Sequence, residues 1–288
     1  MKLGWLGTGL MGLPMAQRLV AAGLPLVAYN RTAAKLEPLR LAGAEIATQP
    51  QAVLANADCI MLMLTNAQAI RDTLLNEQIR SQLQGRTIIQ MGTIAPTESK
   101  DLCAQIQAAG GDYFEAPVLG SIPEAQTGKL IVMVGATPEQ FERYQELLQH
   151  FGPQPQLLGP VGSASAIKLA LNQLIASLTT AFSLSLGFVL RQEADVEAFM
   201  SILRGSALYA PTFDKKLQRM LDRNYDQPNF PTQHLLKDVN LFLAEAQAVE
   251  QNTSSLEGVR TILEIALEQG LTHADYSALF SAVNPSPE

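Results

Sequence analysis

The chain has 288 residues, of which 47% are hydrophobic, and a formal net charge of −7. This length suffices for two hydrophobic cores, and the acidic balance excludes a broad basic surface for nucleic acid. Two cysteines, Cys59 and Cys103, make neither a disulfide framework nor a zinc site, and the histidines lack metal-ligand spacing, so we expect no metal. The start MKLGWLG has no signal-peptide pattern, which predicts a cytoplasmic location.

Apolar runs alternate with helical patterns in the first half of the chain. This alternation predicts a parallel sheet with crossover helices. The strand-like runs are 2–6, 25–29, 58–64, 87–91 and 130–134. After about residue 160 only helical patterns remain, at 163–190, 194–204, 210–224, 231–250 and 254–270. The tail NPSPE, 284–288, predicts a loose terminus.

The segment from Leu169 to Leu190 carries no charge and is long enough to cross a membrane. It contains Asn172, Gln173 and several serines and threonines, and the sequence holds no second candidate span. We therefore predict a long helix buried within protein, and no membrane partner.

A glycine-rich turn follows the first predicted strand and opens the first predicted helix. Gly7 permits the tight turn, Gly9 lets the backbone approach a pyrophosphate, and Gly12 allows close packing of helix on strand. The motif predicts dinucleotide binding by Gly7, Thr8, Gly9, Leu10, Met11 and Gly12. The fold class is therefore α/β, with an N-terminal Rossmann domain over 1–162 and an all-helical C-terminal domain over 163–288.

The second predicted strand ends in AYNRT, where NAD-selective domains carry an acid that bonds the ribose 2′-hydroxyl. Asn30, Arg31 and Thr32 occupy this place, and Lys35 lies one turn further on. Arg31 offers a planar set of donors to a 2′-phosphate, although an exposed loop arginine is the ordinary alternative. We therefore predict NADP(H) as the cofactor.

Further ligand contacts are predicted where strands end and where loops are rich in glycine. Met63 and Leu64 end the run 58–64, and Thr93 follows the run 87–91, so both places suit a cofactor or substrate. The loop around Gly120 and Ser121 can turn its N–H groups toward a carboxylate, unless it is only a surface loop.

Lys168 lies inside an apolar stretch, GPVGSASAIKLALN, with Asn172 four residues later on the same helical face. A snorkelling lysine is the ordinary explanation, but the position at the domain junction favours a catalytic role. Lys237 and Asp238 lie in another apolar helical segment, and Phe230, seven residues earlier, is expected to share a face with Lys237.

These motifs, in this order and spacing, resemble the β-hydroxyacid dehydrogenase family over nearly the whole chain. The family includes 3-hydroxyisobutyrate dehydrogenase, tartronate semialdehyde reductase and the glyoxylate/succinic semialdehyde reductases, and NRT with GSIP resembles the NADPH-using members of the last group. The resemblance implies catalysis by Lys168 and orientation of the substrate by Asn172. It implies substrate contacts at Thr93, Gly120, Ser121, Phe230, Lys237 and Asp238, with Lys237 also near the cofactor.

The chain departs from the family pattern at several positions. Leu119 and Gly92 stand where serine is frequent, and Ala164 replaces a glycine. In the substrate loop the order is Glu124-Ala125 instead of Ala-Glu. The loss of a hydroxyl at Leu119 bears directly on the choice of substrate.

The resemblance implies NADPH-dependent reduction of a short aldehyde acid, such as succinic semialdehyde or glyoxylate, to the hydroxy acid. Lys168 would donate the proton, which a lysine does best when apolar surroundings lower its pKa. The alternatives are a 3-hydroxyisobutyrate or tartronate semialdehyde type of dehydrogenase, an imine reductase, and an NADP(H)-binding sensor without turnover. The expected partners are a small anionic substrate and further copies of the chain, in a homodimer or homotetramer.

Overall fold

The computed structural model describes residues 1–285 and divides into two compact units, Met1–Lys168 and a second that begins at Leu169. The predicted loose tail is wrong at its first residue, because Asn284 is buried and its Nδ2 donates to the Ser183 carbonyl at 2.8 Å. Residues 286–288 lie outside the described residues. The domain boundary expected after Gly162 stays a prediction.

A nine-stranded sheet forms the centre of the first unit, with the order β3-β2-β1-β4-β5-β6-β8-β7 and with β9 beside β8. Strands β1 to β6 run parallel, whereas β8 runs antiparallel to β6 and to β7. The strands are β1 Leu3–Leu6, β2 Leu26–Tyr29, β3 Glu45–Ile46, β4 Cys59–Leu62, β5 Thr87–Gln90, β6 Asp112–Glu115, β7 Val118–Leu119, β8 Ile131–Gly135 and β9 Gln156–Gly159.

Helices connect these strands and cover both faces of the sheet. They are α1 Gly12–Ala21, α2 Glu37–Leu41, α3 Pro50–Asn56, α4 Ala67–Leu74, α5 Glu77–Arg80, α6 Pro96–Ala108, α7 Ile122–Thr127 and α8 Pro138–Leu148. Neighbouring strand residues enter different cores: Trp5 packs with Met15 and Leu19, while Leu6 packs with Ile88 on the other face. This two-sided burial explains why the strands read as continuous apolar runs.

Five parallel strands end in one row. Leu6 pairs with both Tyr29 and Leu62, Leu62 pairs with Gln90, and Gln90 pairs with Glu115. Because the carboxyl ends of parallel strands form the ligand-binding edge of such a sheet, the residues that follow them are collected at one edge.

The second unit is built from helices. Its two apolar clusters centre on Leu235 and Leu263 and on Phe182 and Phe213, whose rings stack at 4.6 Å. The helices are α9 Ser163–Arg191, which begins before the division between the units, and then α10 Val196–Arg204, α11 Pro211–Leu221, α12 Thr232–Ala248, α13 Ser254–Glu268 and α14 Leu279–Val283. The predicted helical segments are confirmed, with ends shifted by a few residues.

An ion pair lies inside the second unit. The Lys216 ammonium is 2.8 Å and 2.9 Å from the two carboxylate oxygens of Asp275 and lies 4.2 Å from the centre of the Tyr276 ring. Asp275 is fully buried and also accepts from the Ser277 hydroxyl at 2.8 Å. These contacts join α11 to the segment before α14.

Helix α9 is long and apolar enough to cross a membrane by length and composition, and 39% of its most apolar window is buried. The predicted burial within protein holds on one side of the helix only. The other side exposes large apolar side chains four to six residues apart, at Leu174, Leu178, Leu184 and Phe188.

Candidate active site

The glycine turn between β1 and α1 leaves room for a ligand at one position and for nothing at two others. A Cβ at Gly7 or at Gly12 would come within 3.0 Å of a backbone oxygen, that of Met63 or of Gly7 respectively. Gly7 also has a φ of +102°, which favours glycine. At Gly9 a Cβ would meet no heavy atom of residues 1–285 within 4 Å. Gly9 is therefore the place where a pyrophosphate can approach the backbone.

Asn30 ties this turn to the loop after β2. The Thr8 backbone N–H donates to Asn30 Oδ1 at 3.0 Å, and Asn30 Nδ2 donates to the Thr32 carbonyl at 2.9 Å. The Thr8 hydroxyl is buried and has no hydrogen-bond partner within residues 1–285, as expected of a group that serves a bound ligand. Arg31, Thr32 and Lys35 are exposed beside this loop. The geometry fits a dinucleotide.

The ends of β4 and β5 meet next to the glycine turn. Gly92 N–H donates to Gln90 Oε1 at 2.8 Å, and Gln90 Nε2 returns a bond to the Gly92 carbonyl at 3.0 Å. A Cβ at Gly92 would lie 2.6 Å from the Leu64 carbonyl oxygen, which explains glycine where the family pattern favours serine. Thr93 follows at once and is half-buried, as are Met63 and Leu64.

The substrate loop is held by its own capping box at the start of α7. The Ser121 backbone N–H and hydroxyl donate to Glu124 Oε2 at 2.8 Å and 2.5 Å. This explains the departure Glu124-Ala125, because the acid caps the helix while Ala125 is fully buried. Gly120 precedes with a φ of +136°. Both Ser121 donors are engaged by Glu124, and the contact of Ser121 with a substrate carboxylate stays a prediction.

Lys168 lies in the second turn of α9 and is 8% exposed. The first turn of this helix is fixed by Glu115, which the sequence analysis did not single out. Glu115 Oε1 accepts the N–H groups of Gly162, Ala164 and Ser165 at 2.8, 2.9 and 3.0 Å. Its Oε2 accepts the hydroxyls of Ser165, at 2.6 Å, and of Ser99.

In the second unit, Asn172 and Lys237 converge on Asp238. Asn172 Nδ2 donates to Asp238 Oδ2 at 2.6 Å, and the Lys237 ammonium lies 2.8 Å from Asp238 Oδ1. Asn172 and Asp238 are buried, and Asn172 Oδ1 has no hydrogen-bond partner in the described part of the chain. Burial, followed by the Lys237 charge, lowers the pKa of the neighbouring His234, which is therefore neutral at pH 7.

Phe230 does not share a helical face with Lys237, contrary to the expectation from their spacing. Helix α12 begins at Thr232, and the extended Pro231 precedes it. The Phe230 carbonyl accepts from the Tyr276 N–H at 3.0 Å, and the two rings meet edge-on at 6.0 Å. A seven-residue spacing places side chains on one face only inside a helix.

Most of the candidate residues form two groups, whereas Gly120, Ser121, Lys168 and Phe230 belong to neither. In the first unit, the glycine turn, the loop 30–32 and the segments 63–64 and 92–93 follow four neighbouring parallel strands. In the second unit, Asn172, Lys237 and Asp238 form one hydrogen-bonded and ionic cluster. Their roles in catalysis and binding stay predictions.

Comparison with known families agrees with this arrangement. The profile of the NAD binding domain of 6-phosphogluconate dehydrogenase matches residues 2–159, and that of the NAD-binding region of NADP-dependent 3-hydroxyisobutyrate dehydrogenase matches residues 162–283. The chain belongs to the NAD(P)-dependent β-hydroxyacid dehydrogenase family. As a β-hydroxyacid dehydrogenase, it is an oxidoreductase that acts on CH–OH groups with NAD(P).

Named relatives of this β-hydroxyacid dehydrogenase span its length. It is 32% identical to 2-hydroxy-3-oxopropionate reductase of Escherichia coli, over 98% of the chain and 97% of the relative. It is 30% identical to glyoxylate/succinic semialdehyde reductase 2 of Arabidopsis thaliana, over 98% and 79%. Its fold matches that of 3-hydroxyisobutyrate dehydrogenase of Mycobacterium tuberculosis with a TM-score of 0.88, at 19% identity and 98% coverage of both chains.

Proposed function

We propose that this β-hydroxyacid dehydrogenase reduces a short aldehyde acid, succinic semialdehyde or glyoxylate, to the hydroxy acid with NADPH. The observation that carries the proposal is the buried ammonium-bearing side chain of Lys168 on α9. A buried ammonium needs a polar or charged partner, and a carbonyl oxygen that gains negative charge during reduction is one such partner. The named relatives that act on such acids support the substrate class.

Reduction of a carbonyl needs a hydride at carbon and a proton at oxygen. NADPH supplies the hydride when it is bound. The Lys168 ammonium stabilises the negative charge that develops on the oxygen and passes a proton to it; in the reverse direction the neutral amine accepts that proton. Asn172, four residues along the same helix and anchored to Asp238, orients the substrate.

The substrate is proposed to contact the loop at Gly120 and Ser121, together with Thr93, Phe230 and the Lys237–Asp238 pair. A substrate carboxylate would take the place of Asp238 at the Lys237 ammonium and of Glu124 at the Ser121 donors. Leu119 stands where the family pattern favours serine, so we propose a less polar contact with the substrate at this position. We therefore favour the longer succinic semialdehyde over glyoxylate.

The preference for NADPH is proposed from the loop after β2. Asn30, the residue that follows β2, is neutral and is held by hydrogen bonds to the two loops that it joins. It therefore does not repel a phosphate as an acid would. Arg31 and Lys35 are exposed there and can approach a 2′-phosphate from solvent.

The decisive experiment compares Lys168→Met with the wild type and with Lys215→Met, an exposed lysine on α11. We expect kcat to fall about 10²- to 10⁴-fold in Lys168→Met, the range for loss of a general acid, while the Kd for NADPH stays within twofold. Lys215→Met should behave as wild type. Normal turnover by Lys168→Met would refute the proton-donor role.

The substrate panel contains succinic semialdehyde, glyoxylate, tartronate semialdehyde, methylmalonate semialdehyde and a cyclic imine, followed by NADPH absorbance. Tartronate semialdehyde is the second candidate because the relative at 32% identity is named for that substrate. The highest kcat/KM on succinic semialdehyde is expected. Activity on the imine alone would identify an imine reductase, and activity on none of them would favour an NADP(H)-binding sensor.

Association with a second copy and a cytoplasmic location complete the proposal. The exposed apolar side chains along α9 support self-association, because soluble monomers rarely expose contiguous apolar patches of this kind. Light scattering should give a mass of two or four times 31.1 kDa. A mass equal to that of the single chain would contradict this part of the proposal.

A further inference from the structure

Glu115 is a fully buried carboxylate that receives five hydrogen bonds, four of them from the segment that opens α9. Moving an ionised carboxylate out of water costs several kcal/mol unless hydrogen bonds replace its hydration, and these donors provide that replacement. Three of the donors are backbone N–H groups at a helix start, which have no partner inside the helix. The helix dipole adds further attraction.

The contacts around the Glu115 side chain restrict its carboxylate to one position. Gly135, its partner across the β6–β8 pair, would place a Cβ 2.5 Å from Glu115 Oε1, so only glycine leaves room for the carboxylate. Gly162 has a φ of +101°, which turns the chain so that its N–H donates to Glu115. Ser99, on α6, holds the second carboxylate oxygen from the other side.

Lys168 lies three residues after Ser165, less than one helical turn of about 3.6 residues. A slip of the first turn by one residue would rotate the Lys168 side chain by about 100° about the helix axis. Any such slip breaks several of the bonds to Glu115 together. The buried Glu115 carboxylate therefore determines the position of the Lys168 Cα and the direction in which its side chain leaves the helix.

We propose that Glu115 is a positioning residue for Lys168: it anchors the first turn of α9 to the carboxyl end of β6 and so sets the placement of the proton donor. This inference rests on the proposed function of Lys168. It assigns a role in catalysis to a residue that acts only through the helix it holds.

The test uses two buried serines of the same helix. Ser165→Ala removes a hydroxyl that donates to Glu115, whereas Ser183→Ala removes a hydroxyl that donates to the Thr179 carbonyl of α9 itself. Both side chains are buried, so both variants lose a buried hydrogen bond. We measure kcat, KM for the aldehyde acid, Kd for NADPH and thermal unfolding, with all kinetics well below the unfolding temperature.

We expect kcat to fall about tenfold in Ser165→Ala, with KM and the Kd for NADPH within twofold, because a small misplacement of a catalytic group lowers the rate more than binding. Ser183→Ala should keep kcat within twofold. Glu115→Gln, which puts a donor opposite donors, should lose about 10²-fold in kcat with the same Kd for NADPH.

Equal kcat in Ser165→Ala and Ser183→Ala would overturn the inference, as would a Ser165→Ala variant that loses NADPH affinity and keeps kcat. If Glu115→Gln does not fold, the serine pair still decides. Failure of the proposed function is distinguishable, because it would appear as normal turnover in Lys168→Met. Failure of this inference would appear as normal turnover in Ser165→Ala of an enzyme that Lys168→Met inactivates.

Discussion

Gly9 and Gly12 lie in one turn and differ in what a methyl group would meet. A Cβ at Gly12 would come within 3.0 Å of the Gly7 carbonyl oxygen and 3.3 Å from the Met63 Cβ, whereas a Cβ at Gly9 would have no heavy atom of the described chain within 4 Å. Gly12→Ala and Gly9→Ala therefore separate the packing of the turn from its use as a ligand cradle.

The two variants should differ in which property they lose: Gly12→Ala should lose stability, and Gly9→Ala should lose affinity for NADPH. Gly12→Ala presses a side chain against backbone, and such overpacking costs about 2 kcal/mol, or roughly 6 °C in Tm for a unit of this size. Gly9→Ala should change the free energy of unfolding by less than about 0.5 kcal/mol, because the methyl group meets no other atom. It should instead weaken NADPH binding by about 3 kcal/mol, roughly 10²-fold in Kd, through loss of two hydrogen bonds to phosphate.

Thermal unfolding without cofactor and titration of NADPH fluorescence measure the two effects. A Gly9→Ala variant that binds NADPH with the wild-type Kd would refute the assignment of this turn to the pyrophosphate. An equal loss of Tm in both variants would refute the conclusion that a methyl group clashes at Gly12 and fits at Gly9.

Three further predictions concern other parts of the chain. Arg31→Asp should lower the ratio of kcat/KM for NADPH to that for NADH by about 10²-fold or more, because attraction to the 2′-phosphate, about 1 kcal/mol per charge pair in water, becomes repulsion; equal kcat/KM for both cofactors in the wild type would contradict the assignment. Lys216→Met should cost about 3–5 kcal/mol of unfolding free energy in urea at pH 7. In Lys216→Met, burial without the ammonium raises the pKa of Asp275, so the carboxylate takes up a proton and loses its unpaired charge as the pH falls. The loss of unfolding free energy relative to the wild type should therefore be smaller at pH 5 than at pH 7. An equal loss at both pH values would contradict this prediction. Burial raises the pKa of Cys59 to about 12, so iodoacetamide at pH 8 should label the half-buried Cys103 first and Cys59 only upon unfolding.

The sequence pattern predicted the parts of the fold in which each residue obeys a local rule. Strands β1, β2, β4, β5 and β8 are apolar runs, and the glycine turn has its own steric logic, so both were identified correctly. Strand β6 was missed because its residues, Asp112 to Glu115, begin and end with acids. The prediction that Phe230 and Lys237 share a helical face was wrong because α12 begins only at Thr232, after the extended Pro231.

Glu115 could not be recognised from local sequence because four of its five hydrogen bonds come from residues 47 to 50 positions later and the fifth from Ser99, 16 positions earlier. An acid in the stretch YFEAPV suggests a strand end at a ligand edge, and only the spatial register shows that it meets a helix start. Asp238 was singled out from the sequence, but its bond to Asn172 was not, because that bond joins residues 66 positions apart. Both assignments depend on tertiary proximity and not on composition or period.

The bond between Glu115 and the start of α9 also has a consequence for assembly of the chain during synthesis. Glu115 is synthesised 47 residues before Gly162, so its carboxylate stays in water until residues 162–165 follow, and we expect the end of β6 and the first turn of α9 to become ordered together. Both partners of this contact lie in the first compact unit, Met1–Lys168. A fragment ending at residue 160 would bury an acid without most of its donors, and such a fragment should fold only when extended past Ser165.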